Sequence, residues 1–344
     1  MSLSEIISKN EKVFKGAVDL KYYFSPSSSC DKFLLVGFSG FNGKEEHGEK
    51  ARYNYVKQLK DLDAHKLFIL DDYENNLPCY YLGSNKRLDY ETTVMSLIVM
   101  IANTYSIPMG NVITFGTSKG GTAALYFGTK YKLGHVIAGG MQTKVGDYIY
   151  NVSEFTRTKI LKLITGESNE QGRDYLNNFY QEVFENPNEG TNFNIHGGSG
   201  DYHYVTYGKP FIDTLRKKNI KVNLDVRDYS DHGKIGEFFT PFLYNQVAQI
   251  TGKVLISNYE VRKNKNILEA TCEIPLNLEE DKSVRYAFYI LKDKETQPIM
   301  KYPYNKSNKI KYEVKEPGNY RIRIYVRNDQ GVCKTGTRSI NFSW

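Results

Sequence analysis

The sequence is poor in cysteine, histidine and long apolar runs, and each shortage narrows what the chain can be. Its four cysteines, Cys30, Cys79, Cys272 and Cys333, are scattered over 344 residues without metal-ligand spacing. They read as incidental or buried thiols of a reducing compartment. There are six histidines, with no His-x-x-x-His pair and no carboxylates clustered at ligand spacing, so neither a metal nor another cofactor is expected. No apolar run is long enough to span a membrane. The first ten residues lack the basic start and long apolar core of a signal peptide, so a cytoplasmic location is the expectation. Internal repeats, low-complexity segments and nucleic-acid recognition motifs are also missing, and no nucleic-acid partner is expected.

What is abundant is aromatic: 28 tyrosines and 18 phenylalanines. The net charge of +7 is unevenly placed. Residues 253–344 hold 18 Lys/Arg against 11 Asp/Glu, while residues 1–252 balance at 28 of each. The basic excess therefore belongs to the last quarter of the chain. It is either a solvated face or a surface for an anionic glycan, a lipid headgroup or a protein partner.

The texture changes near residue 252. Before it, strand-like runs at Val18–Phe24, Phe33–Phe38, Lys66–Leu70, Val112–Phe115, His135–Ala138, Phe193–Ile195 and Val222–Val226 alternate with helix-like runs near 50–62, 88–105, 119–130, 205–218 and 234–250. Val94, Leu97, Ile98 and Ile101 recur at helical spacing. Such alternation predicts an α/β domain over 1–252, a mostly parallel sheet with helices on both faces. Residues 151–190 break the rhythm and read as a helical cap insertion or a surface excursion. From 253 to 344, short period-2 strands (Val254–Ser257, Leu268–Ile274, Arg285–Ile290, Ile310–Val314, Asn319–Val326) and turns at Glu316-Pro317-Gly318 and Asn328–Gly331 predict a small all-β sandwich.

The chemistry is concentrated around Ser118. Gly116-Thr117-Ser118-Lys119-Gly120 follows an apolar strand and precedes a helix rich in small residues. That is the pattern of a nucleophile elbow, in which a serine projects from a tight turn and the flanking glycines remove side chains that would collide with it. The helix then points free N–H groups at the site, where they can stabilise an oxyanion. The alternative is a glycine-rich turn with a helix-capping serine.

A nucleophilic serine needs a base and an acid that orients it. His232, followed by Gly233, lies after the last predicted strand of the domain and before its last helix, where a general base belongs; otherwise it is a surface loop residue. Asp201 ends the loop Gly197–Gly200 after the preceding strand and is the candidate acid, or only a helix N-cap. Asp147 is its rival. Asp228 and Asp231 are too close in sequence to His232 to orient its ring. His196 and His203 flank the acid loop and suit packing or substrate contact. For the oxyanion, the Lys119 N–H and an N–H of Phe38 or Ser39, in the loop Gly37–Gly43, are the candidate donors. The Lys119 side chain adds a positive charge that either favours an anionic substrate or faces solvent.

Residues 17–250 resemble the α/β-hydrolase superfamily on this constellation. The stretch Thr114–Tyr126, with Gly120-Gly121 after the lysine and Ala124-Leu125-Tyr126 on the helix, is similar to the elbow of hydrolase-fold proteins of bacterial surface-glycan pathways. These include capsular-polysaccharide biosynthesis proteins of the XcbB/CpsF type and accessory Sec system proteins that O-acetylate glycans on adhesins. The resemblance implies an α/β-hydrolase fold and a triad carried here by Ser118, Asp201 and His232. It also implies acyl chemistry, as an esterase, deacetylase or O-acyltransferase, on a small-molecule or glycan substrate. The C-terminal segments Tyr286–Ile290, Pro317–Arg327 and Asp329–Gly331 are similar to triple-tyrosine β-sandwich modules, which serve as scaffolds or interaction domains. The alternative from another class is a catalytically idle hydrolase fold that acts as a scaffold or binding protein in a glycan or secretion assembly, its basic sandwich meeting a protein partner.

Overall fold

The computed structural model describes residues 3–29, 31–41, 49–187 and 189–344. Cys30, and Asn42 and Gly43 of the loop after the Phe33–Phe38 run, lie outside the described residues. The chain divides into two compact units, residues 1–57 with 64–239 and residues 58–63 with 240–344.

The first unit opens with helix α1 (Leu3–Asn10) and a hairpin of β1 (Glu11–Lys15) and β2 (Asp19–Ser25). β3 (Leu34–Phe38), the short helix α2 (Val56–Leu59, ending in the second unit), β4 (His65–Ile69) and α3 (Asp89–Thr104) follow. Next come β5 (Val112–Thr117), α4 (Lys119–Lys130), β6 (His135–Gly139) and α5 (Val145–Val152). Then come α6 (Lys162–Thr165), α7 (Glu170–Phe184), β7 (Asn192–Gly198), α8 (Lys209–Lys217), β8 (Val222–Arg227) and α9 (Ile235–Thr251), whose residues from Thr240 on belong to the second unit. The eight strands form one sheet in the order β1-β2-β4-β3-β5-β6-β7-β8. β1 and β2 are antiparallel, β2 is antiparallel to β4, and every later pairing is parallel.

Central position explains composition. Every residue of β3, β4 and β5 is buried, including His65, Lys66 and Thr114, so these strands show no alternation of apolar and polar side chains. On α3 the spaced residues Val94, Leu97, Ile98 and Ile101 all enter the core, as their periodicity predicts. The 151–190 segment contains a wide π-type turn (Thr156–Leu161) running into α6, then α7. α7 buries Leu176, Tyr180 and Phe184, and the Tyr180 ring packs 5.2 Å from that of Tyr126 on α4. This helix is therefore part of the core and not a surface excursion.

Several boundaries differ from the sequence reading. β1 has no apolar alternation because it is an edge strand with mostly exposed side chains. The helix expected over 50–62 shrinks to Val56–Leu59. The helix expected over 205–218 begins as a π-type turn (Tyr204–Gly208) before α8.

The second unit holds two antiparallel sheets. β13 (Lys309–Glu313), β10 (Ile267–Glu273) and β9 (Asn258–Asn264) form one. β12 (Met300–Asn305), β11 (Arg285–Lys292), β14 (Gly318–Asn328) and β15 (Gly331–Gly336) form the other, with β16 (Ile340–Phe342) pairing β14. The strand expected at Val254–Ser257 is not formed; pairing starts at Asn258. β12, β15 and β16 go beyond the sequence reading; Met300–Asn305 is mostly exposed and Ile340–Phe342 is only three residues long. Among the described residues, no helix is long and apolar enough to cross a membrane.

Candidate active site

β5 delivers Ser118 at the carboxyl edge of the sheet, where open α/β folds place their ligands. Ser118 has φ 54° and ψ −127°, a left-handed backbone that an L-residue adopts only when its surroundings impose it. The surroundings here are tight. A Cβ on Gly116 would lie 2.5 Å from the Gly120 carbonyl, and one on Gly120 would lie 2.4 Å from the Phe38 carbonyl. Only glycine lets β5, α4 and the end of β3 approach so closely. The Ser118 N–H donates to Gly139 O at 2.9 Å. Its side chain makes no cap hydrogen bond to α4, so Ser118 is not a capping serine.

The loops after β7 and β8 bring Asp201 and His232 together. Asp201 Oδ2 lies 2.9 Å from His232 Nδ1, and its Oδ1 accepts the His203 N–H at 3.0 Å. The carboxylate is fully buried. Burial alone would push Asp201 up, but the hydrogen bond and charge of His232, together with the His203 N–H, outweigh it and hold the group below its ordinary value. The rival acid Asp147 is elsewhere: on α5 it accepts from Asn177 Nδ2 at 2.8 Å and lines a separate cavity of about 630 Å³ with Thr143, Lys144 and Phe211. Asp231 accepts from the Gly233 N–H, and Asp228 from Ser199. His196 is tied to Asp225 at 2.8 Å and to Tyr229 at 3.1 Å.

His203, placed by sequence among packing or substrate-contact residues, lies against the His232 ring, with centroids 3.7 Å apart. Its Nδ1 is 3.1 Å from Gln142 Nε2 and 3.2 Å from Gly140 O. Gln142 also donates from Nε2 to Ser118 Oγ at 3.0 Å, and its Oε1 accepts from Thr122. Gln142, which nothing in the sequence singles out, is thus the side chain that holds the serine. His232 Nε2 is buried without a hydrogen-bond partner among the described residues, so Ser118 and His232 are not hydrogen-bonded to each other in this conformation. Asp201, His203 and His232 offer donor atoms within 4.8 Å of one another, but both Asp201 oxygens are already engaged as above.

Burial and then the charge of His232 push His203 down from about 6.5 to about 4, partly offset by Asp201. The rings of Tyr148, Tyr202 and Tyr207 complete its surroundings. Between these two values the unfolded chain takes up a proton that the folded chain refuses. The stability present above pH 6.5 is therefore lost as pH falls towards 4. Thermal melts should show the wild-type midpoint dropping across that window, and His203→Asn should make the drop shallower. An unchanged slope in the variant would refute the assignment.

Two expectations about the oxyanion side are corrected. The Lys119 side chain neither faces solvent nor awaits an anionic substrate: it is fully buried, with Nζ 2.7 Å from Asp71 Oδ2. Asp71 also accepts the N–H groups of Cys79 and Tyr80 at 3.0 Å each. The Ser39 N–H is already given to Tyr81 Oη at 2.6 Å, so it is not a free donor. Phe38 turns its carbonyl towards Gly120. The N–H of Lys119 itself opens α4 and has no carbonyl to reach within the helix.

No protein-family model matches the chain, and no curated protein does. Solved structures do match. The capsule O-acetyltransferase of Neisseria meningitidis serogroup A superposes with a TM-score of 0.59 at 20% identity, over 70% of this chain and 94% of that one. A variant of it was solved in complex with CoA and gives a TM-score of 0.57 at 19% identity, over 68% and 92% of the two chains. The Glycosylation Associate Protein (Gap123) complex from Streptococcus agalactiae gives 0.57 at 20%, over 70% and 46%. Pyrococcus horikoshii acylaminoacyl peptidase gives 0.52 at 14%, over 72% and 43%. At these identities the likeness is one of fold. Together with the strand order, it gives the first unit an α/β-hydrolase fold, with antiparallel β-structure following it.

Proposed function

We propose that this α/β-hydrolase-fold chain is a serine-dependent acyl-transfer enzyme acting on a carbohydrate. Ser118 is the nucleophile, His232 the general base and Asp201 the group that orients it. The carrying observation is the 2.9 Å contact between buried Asp201 and His232 Nδ1, made at the sheet edge where Ser118 sits in a strained elbow. In the reaction Ser118 Oγ leaves Gln142 and turns to His232 Nε2. His232 takes the hydroxyl proton as Oγ adds to the acyl carbonyl. The oxyanion is met by the Lys119 N–H, which opens α4 beside Ser118. His232 then returns its proton to the leaving group, leaving Ser118 acylated. Attack by a sugar hydroxyl gives an O-acyltransferase, attack by water an esterase.

The capsule O-acetyltransferase neighbour and its CoA complex support a CoA thioester as donor and a glycan hydroxyl as acceptor. Such a donor suits a cytoplasmic enzyme in surface-polysaccharide or glycoprotein biosynthesis. The second reading, an idle fold within a glycan assembly, is favoured by one observation: Ser118 Oγ is held by Gln142 and not by His232. The likeness to the Gap123 complex supports a protein partner under that reading. Labelling with a fluorophosphonate probe separates the two. The enzyme labels, and both Ser118→Ala and His232→Ala abolish labelling. A folded wild-type chain that does not label returns the fold to a scaffolding role.

A further inference from the structure

The larger sheet of the second unit has two unlike faces. Tyr286, Phe288, Ile290, Ile322, Ile324 and Val326 are buried on one. On the other, the register lines up cations and tyrosines across the strands. Arg285 faces Arg327, and Leu291 faces Arg321. Tyr325 faces Ala287 on one side and Lys334 on the other. Tyr289 lies between Lys301 and Arg323.

Four of the charges on this face lie against neutral groups. Arg321 donates to the carbonyls of Asp293 at 2.7 Å and Glu295 at 2.8 Å. Arg285 donates to those of Lys282 at 2.6 Å and Val284 at 2.8 Å. The Arg327 guanidinium sits 4.1 Å from the centre of the Tyr304 ring, and Lys301 Nζ lies 5.6 Å from that of Tyr289. The rings of Tyr289 and Tyr325 are 4.9 Å apart. Among the described residues, none of the six cations has a carboxylate within ion-pair distance, whereas Arg262, Lys292 and Lys311 of the same unit are paired. Like charges directly opposed across a strand pair, as Arg285 and Arg327 are, cost stability. A face needing only solubility would mix its signs.

We propose that this face binds an anionic glycan chain. Guanidinium forks suit the carboxylates or phosphates of an acidic polysaccharide, and the tyrosines offer flat apolar surfaces on which sugar rings stack. Four strands span roughly 14 Å, room for several sugar units. The choice of a glycan over a nucleic acid rests on the proposed acyl transfer to carbohydrate; the demand for an anion does not.

Fluorescence anisotropy of the whole chain with labelled polygalacturonate tests the proposal. Neutral dextran, a dT20 oligonucleotide and phosphatidylglycerol vesicles are run alongside. Polygalacturonate should bind, more weakly as salt rises, and dextran should not. Both Arg321→Ser/Arg323→Ser and Tyr289→Ala/Tyr325→Ala should weaken binding about tenfold. Tyr289→Phe/Tyr325→Phe should keep it, which separates lost stacking from misfolding. Ser118→Ala should bind like the wild type, so binding without acyl transfer would leave this face standing while the catalytic reading falls. Tighter binding of dT20 or vesicles, no effect of the tyrosine pair in a folded protein, or no binding of polygalacturonate would overturn the proposal.

Discussion

Asp201→Asn should lower the acyl-transfer rate about 10⁴-fold while leaving the fold intact. The carboxylate is fully buried, and its two oxygens are engaged separately. Oδ1 accepts the His203 N–H, and Oδ2 faces His232 Nδ1. An asparagine fits the same space and can keep the first bond through its carbonyl. Its amide then turns an N–H towards His232 Nδ1, which must accept. That forces the ring proton onto Nε2, the atom that receives the Ser118 proton in the proposed mechanism. The base is present but in the wrong tautomer. Asp147→Asn, made in parallel, should leave the rate within about twofold, because Asp147 bonds to Asn177 on a different cavity. The measurement is kcat/KM on p-nitrophenyl acetate for both variants, with circular dichroism to confirm folding. A loss of less than tenfold in Asp201→Asn would remove this residue from the proposed triad.

The second large effect concerns stability. Asp71→Ala should destabilise the first unit by about 3–5 kcal/mol, because Lys119 would be left charged and buried without its partner. The two side chains are fully buried and 2.7 Å apart. Lys119→Met leaves Asp71 with the N–H groups of Cys79 and Tyr80 and the Cys79 thiol but no cation, and should cost a similar amount. Asp71→Ala/Lys119→Met should recover much of that cost, since removing both charges also removes their desolvation. Urea denaturation of the four proteins measures the coupling. Additive losses would show that the pair does not act as a unit. Asp71→Ala should also lower probe labelling of Ser118 in protein that remains folded, because Lys119 is the first residue of the helix that closes the elbow.

Legibility from sequence followed the physical range of each signal. The elbow was legible because its determinants are local: a buried strand, two obligatory glycines and a helix of small residues lie within one short stretch. The places of Asp201 and His232 followed from chain order in a parallel sheet, where each strand delivers its next loop to the same edge. Lys119 misled because a lysine beside a serine reads as a surface charge. Only the return of the 71–81 segment, some forty residues upstream, supplies the buried carboxylate that draws it inward. Ser39 is the same case, since its amide is claimed by Tyr81, which lies 42 residues on. Gln142 carried no signal at all; a glutamine after a strand is ordinary until the fold sets it against Ser118 and His203. In the second unit β10, β11 and β14 are legible from their alternating apolar residues, whereas β9 and β12, with mostly exposed side chains, and the three-residue β16 are not.

The strained elbow also has a consequence in time. A left-handed serine is unfavourable in a free chain, and here it is imposed by contacts among β3, α4 and β6 and by an ion pair closing a loop of 48 residues. Those contacts are distant in sequence and carry a loop-closure cost, so they are expected to form late in folding. The nucleophile would then be armed last. During refolding, secondary structure should return before Ser118 reacts with a fluorophosphonate, and nascent chains would pass through their sticky, half-built states without a reactive serine on display.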